Sequence, residues 1–481
     1  MEKILNKKNT FIIAGVIVFF KILLSYVLEL HPDEAYYWLW SKHLALGYYD
    51  HSPMVAYFIK LTTLFSDSEL FVRFSSVIVT VILSFLMWNF SKKLFGDEKI
   101  ASASVIMVNS LPLMMVGSVI MTPDTPVFLF FAFAVYFLWR LAETNQVKFW
   151  YLTGLFFGLA MLSKYTAALF CLCLLVYMIT DKKLSWFKNK HFYFMFIVSF
   201  IVFLPVIIWN WQQDWISFTY QLKHGLSSSR LRPGLIFEYL GSQNLVAGPV
   251  IFIAGVFAAV SYFRSKDSKK IFLASFSVPI IAIFIFTALK RNPGANWPAF
   301  AYFAFTIMTS QYLLENMTSF KKKVLIAGIS LNIVLSALVG LHAAYSIVPI
   351  YKFSQAAAVA DATNWFRGWK SLGDNLKSRN VKYIVTHSHQ WGGAIAYYAG
   401  GSAEVFLDNV PKKRYNQFAY WDIPSDTQEV NTAVVRIDNR MEDDFSSIEG
   451  AEVLFVTKNG FPVRQYAIVE KQGYEIQTKP Y

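Results

Sequence analysis

Charged residues are scarce in this chain. Of its 481 residues only 16% are charged, whereas 55% are hydrophobic and 18% are aromatic. Soluble domains carry about 25% charged residues, so this chain has too little polar surface to cover itself in water. The composition excludes a soluble globular protein and predicts a polytopic membrane protein, and the mean hydropathy of +0.40 agrees with that prediction.

Cysteine and the usual ligand-binding motifs are also rare or missing. The two cysteines, Cys171 and Cys173, lie close together inside an apolar run, which argues against a disulfide framework. We find no Cys/His cluster with metal-ligand spacing, no glycine-rich nucleotide loop and no internal repeat. Nucleic acid is not an expected partner, because the net charge of +13 comes from short basic clusters between apolar runs.

Long apolar runs fill the first 346 residues. A helix needs about 20 apolar residues to cross a bilayer, and the runs predict about eleven spans, within a range of about eleven to thirteen. No small-residue cleavage site follows the first run, so we expect a retained helix there and not a signal peptide. The runs cover residues 11–28, 71–91, 100–120, 125–141, 150–163, 165–180, 192–210, 245–263, 271–289, 299–314 and 324–346.

Basic residues gather in every second connection between these runs. The positive-inside rule therefore predicts that the N-terminus and all of these clusters lie in the cytoplasm. An odd number of spans then places the end of the chain on the outer side. The clusters are Lys3/Lys7/Lys8, Lys92/Lys93/Lys99, Arg140/Lys148, Lys182/Lys183/Lys188/Lys190, Arg264/Lys266/Lys269/Lys270 and Lys321/Lys322/Lys323.

The character of the chain changes after residue 346. Apolar runs shorten to strand length at residues 383–386, 403–407, 433–437 and 453–456, and charged residues and glycines separate them. We therefore expect two domains, a transmembrane domain of residues 1–346 and an extracytoplasmic α/β domain of residues 347–481.

Two adjacent carboxylates follow the first apolar run, in the segment His31-Pro32-Asp33-Glu34-Ala35-Tyr36-Tyr37-Trp38. Ionisable groups at membrane depth are costly unless they face a cavity or water, so this doublet is a candidate for function. One neighbouring carboxylate can act as a base while the other binds an acceptor or a cation. The alternative is a solvated loop after a helix that Pro32 stops, with aromatic side chains anchored at the membrane interface.

Further charged residues fall in connections predicted to lie outside. Asp124, in Thr122-Pro123-Asp124, is explained equally well by function and by a turn. Lys164 stands alone as a basic residue in a long apolar stretch, where it would neutralise a lipid phosphate or else snorkel to the surface. Lys290-Arg291 breaks the positive-inside pattern, and it forms either a second phosphate clamp or a solvated loop.

Together these segments resemble the GT-C superfamily of lipid-phosphosugar-dependent glycosyltransferases. The resemblance is to the bacterial branch related to protein O-mannosyltransferases and to lipid A aminoarabinose transferase. It covers residues 10–345, and we recognise no motif in the rest of the chain. The matching segments are His31-Pro32-Asp33-Glu34-Ala35-Tyr36-Tyr37-Trp38, Gly47-Tyr48-Tyr49-Asp50-His51-Ser52-Pro53-Met54, Thr122-Pro123-Asp124, Leu162-Ser163-Lys164-Tyr165 and, less specifically, Asn296-Trp297-Pro298.

The resemblance implies an inverting transfer of a sugar from a polyprenyl phosphate to lipid A or another envelope glycolipid. The reaction would take place at the periplasmic face of the bacterial inner membrane, in contact with membrane lipid. The implied roles are catalytic for Asp33, Glu34 and Asp124, donor-phosphate binding for Lys164, Lys290 and Arg291, and lining of a substrate cavity for Tyr36, Tyr37, Asp50 and His51.

The sequence also allows other interpretations. A protein O-glycosyltransferase of the same fold would share these motifs. A lipid-linked sugar flippase or other transporter would be expected to show paired halves or broken helices at corresponding positions, and we find neither. A polysaccharide polymerase or ligase of another fold is the third alternative. The sequence requires no cofactor, although a divalent cation held by Asp33 and Glu34 is left open.

Overall fold

The computed structural model describes residues 4–226, 231–408, 416–422 and 424–476, and most of these residues are helical. The predicted class, a polytopic α-helical membrane protein with a small C-terminal α/β domain, is confirmed. The helices are α1 (Lys7–Val27), α2 (Pro32–Lys42), α3 (Met54–Thr63), α4 (Glu69–Phe95), α5 (Glu98–Ser110), α6 (Pro112–Val119), α7 (Asp124–Thr144), α8 (Lys148–Met161), α9 (Leu169–Thr180), α10 (Lys190–Gln212), α11 (Ile216–Leu226), α12 (Gly234–Ala247), α13 (Pro249–Phe263), α14 (Ser268–Ser275), α15 (Val278–Ala288), α16 (Tyr302–Leu314), α17 (Ser319–Tyr345), α18 (Gln355–Ala360), α19 (Trp369–Lys377) and α20 (His389–Tyr398).

Within the described ranges, six helical segments are long and apolar enough to cross a membrane. They are α1, α4, α7, α10, α17 and the segment Ser268–Ala288 that contains α14 and α15. Helices α12 and α13 together form either one broken span or a re-entrant loop, because they bend by 106° at a break where Gly248 has φ +79°. Shorter apolar helices occur at Met54–Thr63, Tyr165–Thr180 and Ala299–Leu314, so the total of about eleven spans stays a prediction.

Contacts divide the chain into two compact units. The first consists of residues 1–23, 45–58 and 73–338, and the second of residues 24–44, 59–72 and 339–481. Residues 24–44, which include the Asp33-Glu34 doublet, therefore fold with the C-terminal part of the chain. The domain border at residues 346 and 347, which we drew from composition, stays a prediction.

In the first unit, α8 packs closely against α10. An added Cβ atom at Gly154 would lie 2.3 Å from the carbonyl oxygen of Met195, and one at Gly158 would lie 2.7 Å from that of Ser199. Two glycines one helical turn apart let two helix backbones approach each other in a membrane. This contact holds α8 in place, and the chain leaves α8 directly toward Lys164.

The second unit contains a five-stranded mixed sheet in the order β2-β1-β3-β5-β4. Strand β1 pairs in parallel with β2 and β3, whereas β5 pairs antiparallel with β3 and β4. The four predicted runs coincide with β1 to β4. Strand β5 was not predicted, because Pro462 and several polar residues interrupt its apolar pattern. The strands are β1 (Tyr383–Thr386), β2 (Glu404–Leu407), β3 (Asn431–Asp438), β4 (Glu452–Lys458) and β5 (Phe461–Gln472).

A buried polar cluster also stabilises the second unit. The carboxylate of Asp361 lies 2.8 Å from Nε2 of His342 and pairs with the ammonium of Lys458, which also donates to the hydroxyl of Thr363 at 2.9 Å. Burial alone would raise the pKa of Asp361, but the hydrogen bonds from Lys458, Thr363 and His342 hold it well below its usual value.

We expect the variant Lys458→Met to destabilise the second unit strongly, by about 3–5 kcal/mol, because it leaves a buried carboxylate without its cation. The pKa of Asp361 is depressed in the folded state, so its contribution to stability is present above about pH 4 and is lost as the pH falls further. In Lys458→Met, acidification from about pH 4 to about pH 2 should therefore lower the melting temperature less than in the wild type.

Thermal unfolding of the purified protein in detergent, followed by tryptophan fluorescence, measures both effects. Lys382→Met is the matched control, since Lys382 forms an exposed ion pair with Asp426 in the same unit. Equal losses of melting temperature in the two variants at pH 7 would contradict a stabilising role for the buried cluster.

Candidate active site

The Asp33-Glu34 doublet lies in the first turn of α2. His31 caps this helix: its Nδ1 atom accepts a hydrogen bond from the backbone N–H of Asp33 at 3.2 Å. The carboxylate of Glu34 in turn accepts the backbone N–H of His31 at 3.0 Å, which completes a capping box. Pro32 fits the first helical position because it has no N–H to satisfy there. The alternative of a solvated loop at this doublet is therefore wrong.

The two carboxylates of the doublet have different environments. Glu34 is fully buried, whereas the side chain of Asp33 is 36% exposed. Oδ1 of Asp33 accepts a hydrogen bond from Nε2 of Gln390 at 2.8 Å. Within the described part of the chain no group donates to Oδ2, since Nδ1 of His31 lies 3.7 Å away and is itself an acceptor. Asp33 is thus the solvent-accessible carboxylate of the doublet.

Tyr36 and Tyr37 are part of the core of the second unit. The ring of Tyr36 stacks on Phe418 with 5.9 Å between centroids, and its hydroxyl accepts the backbone N–H of Gln417 at 2.8 Å. The ring of Tyr37 packs against Trp40 at 5.0 Å. All of these tyrosine contacts hold α2 in place, and a role of the two residues in lining a substrate cavity stays a prediction.

In the first unit, Asp124 joins three segments that are far apart in the sequence. It occupies the first position of α7, where the helix dipole favours a negative charge. Its Oδ1 atom accepts from Nζ of Lys164 at 2.6 Å, and its Oδ2 atom accepts from Nδ2 of Asn296 at 2.6 Å. Two of the predicted site residues, Asp124 and Lys164, are therefore direct partners.

Lys164 is buried, with only 7% of its surface exposed. It follows α8 in an extended conformation and precedes a short 3-10 turn, Tyr165–Ala168. Asp124 is the one hydrogen-bond acceptor of its ammonium group among the residues that the structure describes. An ammonium group has three N–H donors, so two of them have no acceptor within the described ranges.

Asn296 is a partner of Asp124 that was not predicted from the sequence. It appeared there only within the weakly specific segment Asn296-Trp297-Pro298, without a role. The neighbouring carbonyl of Ala295 accepts from Nε2 of the buried Gln243 at 3.0 Å, and the hydroxyl of Tyr302 donates to the same amide at 2.8 Å. This network holds the loop so that Asn296 reaches Asp124.

The two predicted cations Lys290 and Arg291 have different surroundings. The guanidinium of Arg291 lies over the ring of Trp297, 5.4 Å from its centroid, as in a cation–π contact. Lys290 is exposed just after the end of α15. The structure gives Arg291 a fixed position and Lys290 a solvated one, and a phosphate-binding role of both stays a prediction.

The segment that contains Asp50 and His51 contacts the C-terminal end of α8, just before Lys164. The hydroxyl of Ser52 donates to the carbonyl of Met161 at 3.0 Å, and the N–H of Met54 donates to the carbonyl of Leu162 at 3.3 Å. Asp50 is almost fully buried, and its carbonyl accepts from Nε2 of Gln221 at 2.5 Å. The assignment of Asp50 and His51 to a substrate cavity stays a prediction.

The doublet fits a metal ion poorly. In the described ranges, no three His, Cys, Asp or Glu side chains come together as a metal site. The carboxylate of Glu34 faces the cap of α2, so it does not converge with Asp33 on a common point. A divalent cation held by both residues is therefore not supported by their geometry.

The sequence of this chain is similar to those of known glycosyltransferases. Residues 50–209 match the family described as dolichyl-phosphate-mannose-protein mannosyltransferase. The lipid A galacturonosyltransferase RgtD of Rhizobium johnstonii is 27% identical over 312 residues, which are 63% of this chain and 64% of that relative. The match thus spans less than two thirds of the length of the relative.

Solved structures show the same fold. ArnT from Cupriavidus metallidurans bound to undecaprenyl phosphate has a TM-score of 0.68 at 12% identity, and the match covers 95% of this chain and 97% of that one. The oligosaccharyltransferase of Archaeoglobus fulgidus in the apo form has a TM-score of 0.50 at 11% identity, covering 83% and 64%. The resemblance to the GT-C superfamily that the sequence indicated is confirmed.

The different environments of the two carboxylates predict different effects on stability. We expect Glu34→Ala to destabilise the protein by at least about 1 kcal/mol, because it removes a buried side chain of the capping box. Asp33→Ala should cost less, since it removes one hydrogen bond from a partly exposed group. Melting temperatures of the two variants in detergent measure this difference, and a larger loss for Asp33→Ala would contradict the assignment of Glu34 as the structural residue.

Proposed function

We propose that this multi-pass membrane protein, with its GT-C fold, is a glycosyltransferase that uses a polyprenyl-phosphate sugar as donor and lipid A or another envelope glycolipid as acceptor. The transfer inverts the anomeric centre and takes place at the periplasmic face of the bacterial inner membrane. In this proposal the N-terminus is cytoplasmic and the C-terminal part is periplasmic. The observation that carries the proposal is the buried ammonium of Lys164, which is held by Asp124 and has two unused donors among the residues described.

The donor chemistry explains why a buried cation is useful. When the sugar leaves a polyprenyl phosphate, negative charge develops on the phosphate oxygens, and fixed cations stabilise that charge in a site with little water. Asp124 and Asn296 hold the ammonium in place before the donor arrives. A lipid-linked donor also needs no glycine-rich nucleotide loop, in agreement with the absence of such a motif from the sequence. ArnT, which shares this fold and was solved bound to undecaprenyl phosphate, supports a lipid carrier of this kind.

The acceptor chemistry depends on Asp33. A hydroxyl acceptor must lose a proton, and a carboxylate within hydrogen-bond reach can take it. Oδ2 of Asp33, which accepts no hydrogen bond from the described residues, is the atom that takes the proton in this proposal. A phosphate acceptor would already be anionic, and Asp33 would then only orient it. The similarity to a lipid A galacturonosyltransferase supports lipid A as the acceptor and leaves the donor sugar open.

A protein acceptor is the second candidate, because the family that residues 50–209 match is described as a protein mannosyltransferase. A transporter of lipid-linked sugars is less well supported. It would not need an accessible carboxylate beside a capped helix end, and its activity would survive the loss of that carboxylate.

We expect Asp33→Asn to reduce transfer by about 10²–10⁴-fold while the protein still inserts and purifies normally, because the amide cannot accept the acceptor's proton. The measurement is mass spectrometry of lipid A and other envelope glycolipids from a strain that lacks the protein, complemented with wild type or with Asp33→Asn. The mass of one sugar should be missing from a glycolipid of the deletion strain and of the Asp33→Asn strain. The same mass should be present in the strain complemented with wild type.

Asp374→Asn is the matched control, since Asp374 is an exposed carboxylate on α19 of the same unit. If Asp33→Asn restored the modification, transport would become the better interpretation. If the glycolipids were unchanged in the deletion strain, the same comparison would be made on secreted proteins.

We expect the loss of the Lys164 cation to impair the use of the donor. Lys164→Met alone leaves Asp124 without its partner and risks unfolding, so the double variant Asp124→Asn/Lys164→Met is the more informative protein. It should be as stable as the wild type or nearly so, yet its kcat should fall by about 10²–10³-fold, with a raised KM for the donor.

The assay measures the initial rate in detergent with purified polyprenyl-phosphate sugar, with donor and acceptor varied separately. Lys323→Met is the comparison, because its ammonium is exposed and Lys323 is not a candidate site residue. An unchanged donor KM and kcat in a folded double variant would remove Lys164 from the proposed mechanism.

A further inference from the structure

The sheet of the second unit carries a sequence element without an assigned role, His387-Ser388-His389-Gln390-Trp391-Gly392-Gly393. It follows β1 and forms the first turn of α20, which leads back to β2. Gly393 allows an unusually close approach, since an added Cβ atom would lie 2.5 Å from the backbone nitrogen of Tyr36 on α2. The first turns of α2 and α20 are therefore neighbours, and Gln390 lies beside Asp33.

Three further contacts hold the chain around Asp33 to the same unit. The carboxylate of Glu29 accepts the backbone N–H of Trp369 at 2.7 Å, and the N–H of Leu30 donates to the hydroxyl of Tyr398 at 2.7 Å. The ring of Tyr36 lies 4.8 Å from that of His389. The backbone of residues 29–36 is thus fixed, and the remaining freedom of Asp33 is rotation of its side chain.

We propose that Gln390, from the C-terminal part of the chain, is a positioning residue for the reaction: its amide donates to Oδ1 of Asp33 and turns Oδ2 toward the acceptor. This inference rests on the proposed function of Asp33 and assigns a role to the C-terminal domain. Gln390 touches neither substrate nor the reacting atoms, and it acts through the carboxylate alone.

The chemistry of the amide suits this task. An amide N–H donates one directional hydrogen bond to the carboxylate, which restricts the rotation of the Asp33 side chain. The rigid placement of a reacting group is worth a large rate factor, and a side chain that rotates freely loses it. His31 cannot replace Gln390, because its Nδ1 atom is occupied as an acceptor in the cap of α2.

The test uses the full-length protein in detergent and two substitutions of similar size. Gln390→Met removes the donor, and we expect about tenfold lower kcat with KM values for donor and acceptor close to those of the wild type. Gln390→Glu places an acceptor against Asp33, and its loss should be larger. Gln390→Lys restores a donor and should recover part of the kcat. Gln355→Met is the matched control, since Gln355 donates to a carbonyl elsewhere in this unit.

A merely structural role would lower the melting temperature without a selective loss of kcat, and it would show no recovery in Gln390→Lys; either result overturns the inference. A second measurement does not need activity. The melting temperatures of Asp33→Asn, Gln390→Met and the double variant should be non-additive if the two side chains interact, and additive losses would contradict the contact.

The outcomes separate the two proposals. If Asp33→Asn is inactive while Gln390→Met turns over like the wild type, the positioning role fails and the proposed function stands. If the wild-type protein transfers no sugar from a polyprenyl phosphate, the proposed function fails, and the non-additivity of the melting temperatures still reports on the contact between Gln390 and Asp33.

Discussion

The ion pair between Asp124 and Lys164 is the interaction on which the first unit's candidate site depends. Removing two charges from water is costly, and close contact repays this only when further hydrogen bonds satisfy both groups. The start of α7 and the amide of Asn296 supply those bonds to the carboxylate. The ammonium, in contrast, has two N–H groups without an acceptor among the residues that the structure describes. A lysine held in this way is preorganised for an anion, because its side chain does not have to be ordered when the anion binds.

The cost of removing a charge from water also explains why the two carboxylates of the Asp33-Glu34 doublet differ. Glu34 is buried and its charge is satisfied by the N-terminus of α2, so it specifies where the helix begins. Asp33 points away from the cap and stays partly exposed. Of two adjacent carboxylates, one is thus buried in the helix cap and the other is accessible, since successive side chains at a helix start point in different directions.

The general architecture could be predicted from the sequence because it depends on hydropathy averaged over long segments. Apolar runs predict spans, and a change of run length at residue 346 predicted the sheet, four of whose strands were located. Asp124 and Lys164 were both identified as candidate residues, but their contact was not predicted. Residues 124 and 164 are far apart in the sequence and come together only in the folded chain. Asn296 and Gln390 were missed for another reason: a neutral amide is common in loops and helix starts, and nothing in its neighbours marks it.

The division of the chain into units has a further consequence. Residues 24–44 precede most of the membrane helices, yet they fold with residues 339–481. A segment of this kind cannot complete its contacts until the end of the chain is present, because Glu29, Leu30 and Asp33 all bind residues beyond position 368. The accessible carboxylate therefore acquires its final geometry only when the sheet has formed. Synthesis of the C-terminal part is then a condition for an ordered Asp33, and the tail of the protein is part of the candidate catalytic machinery.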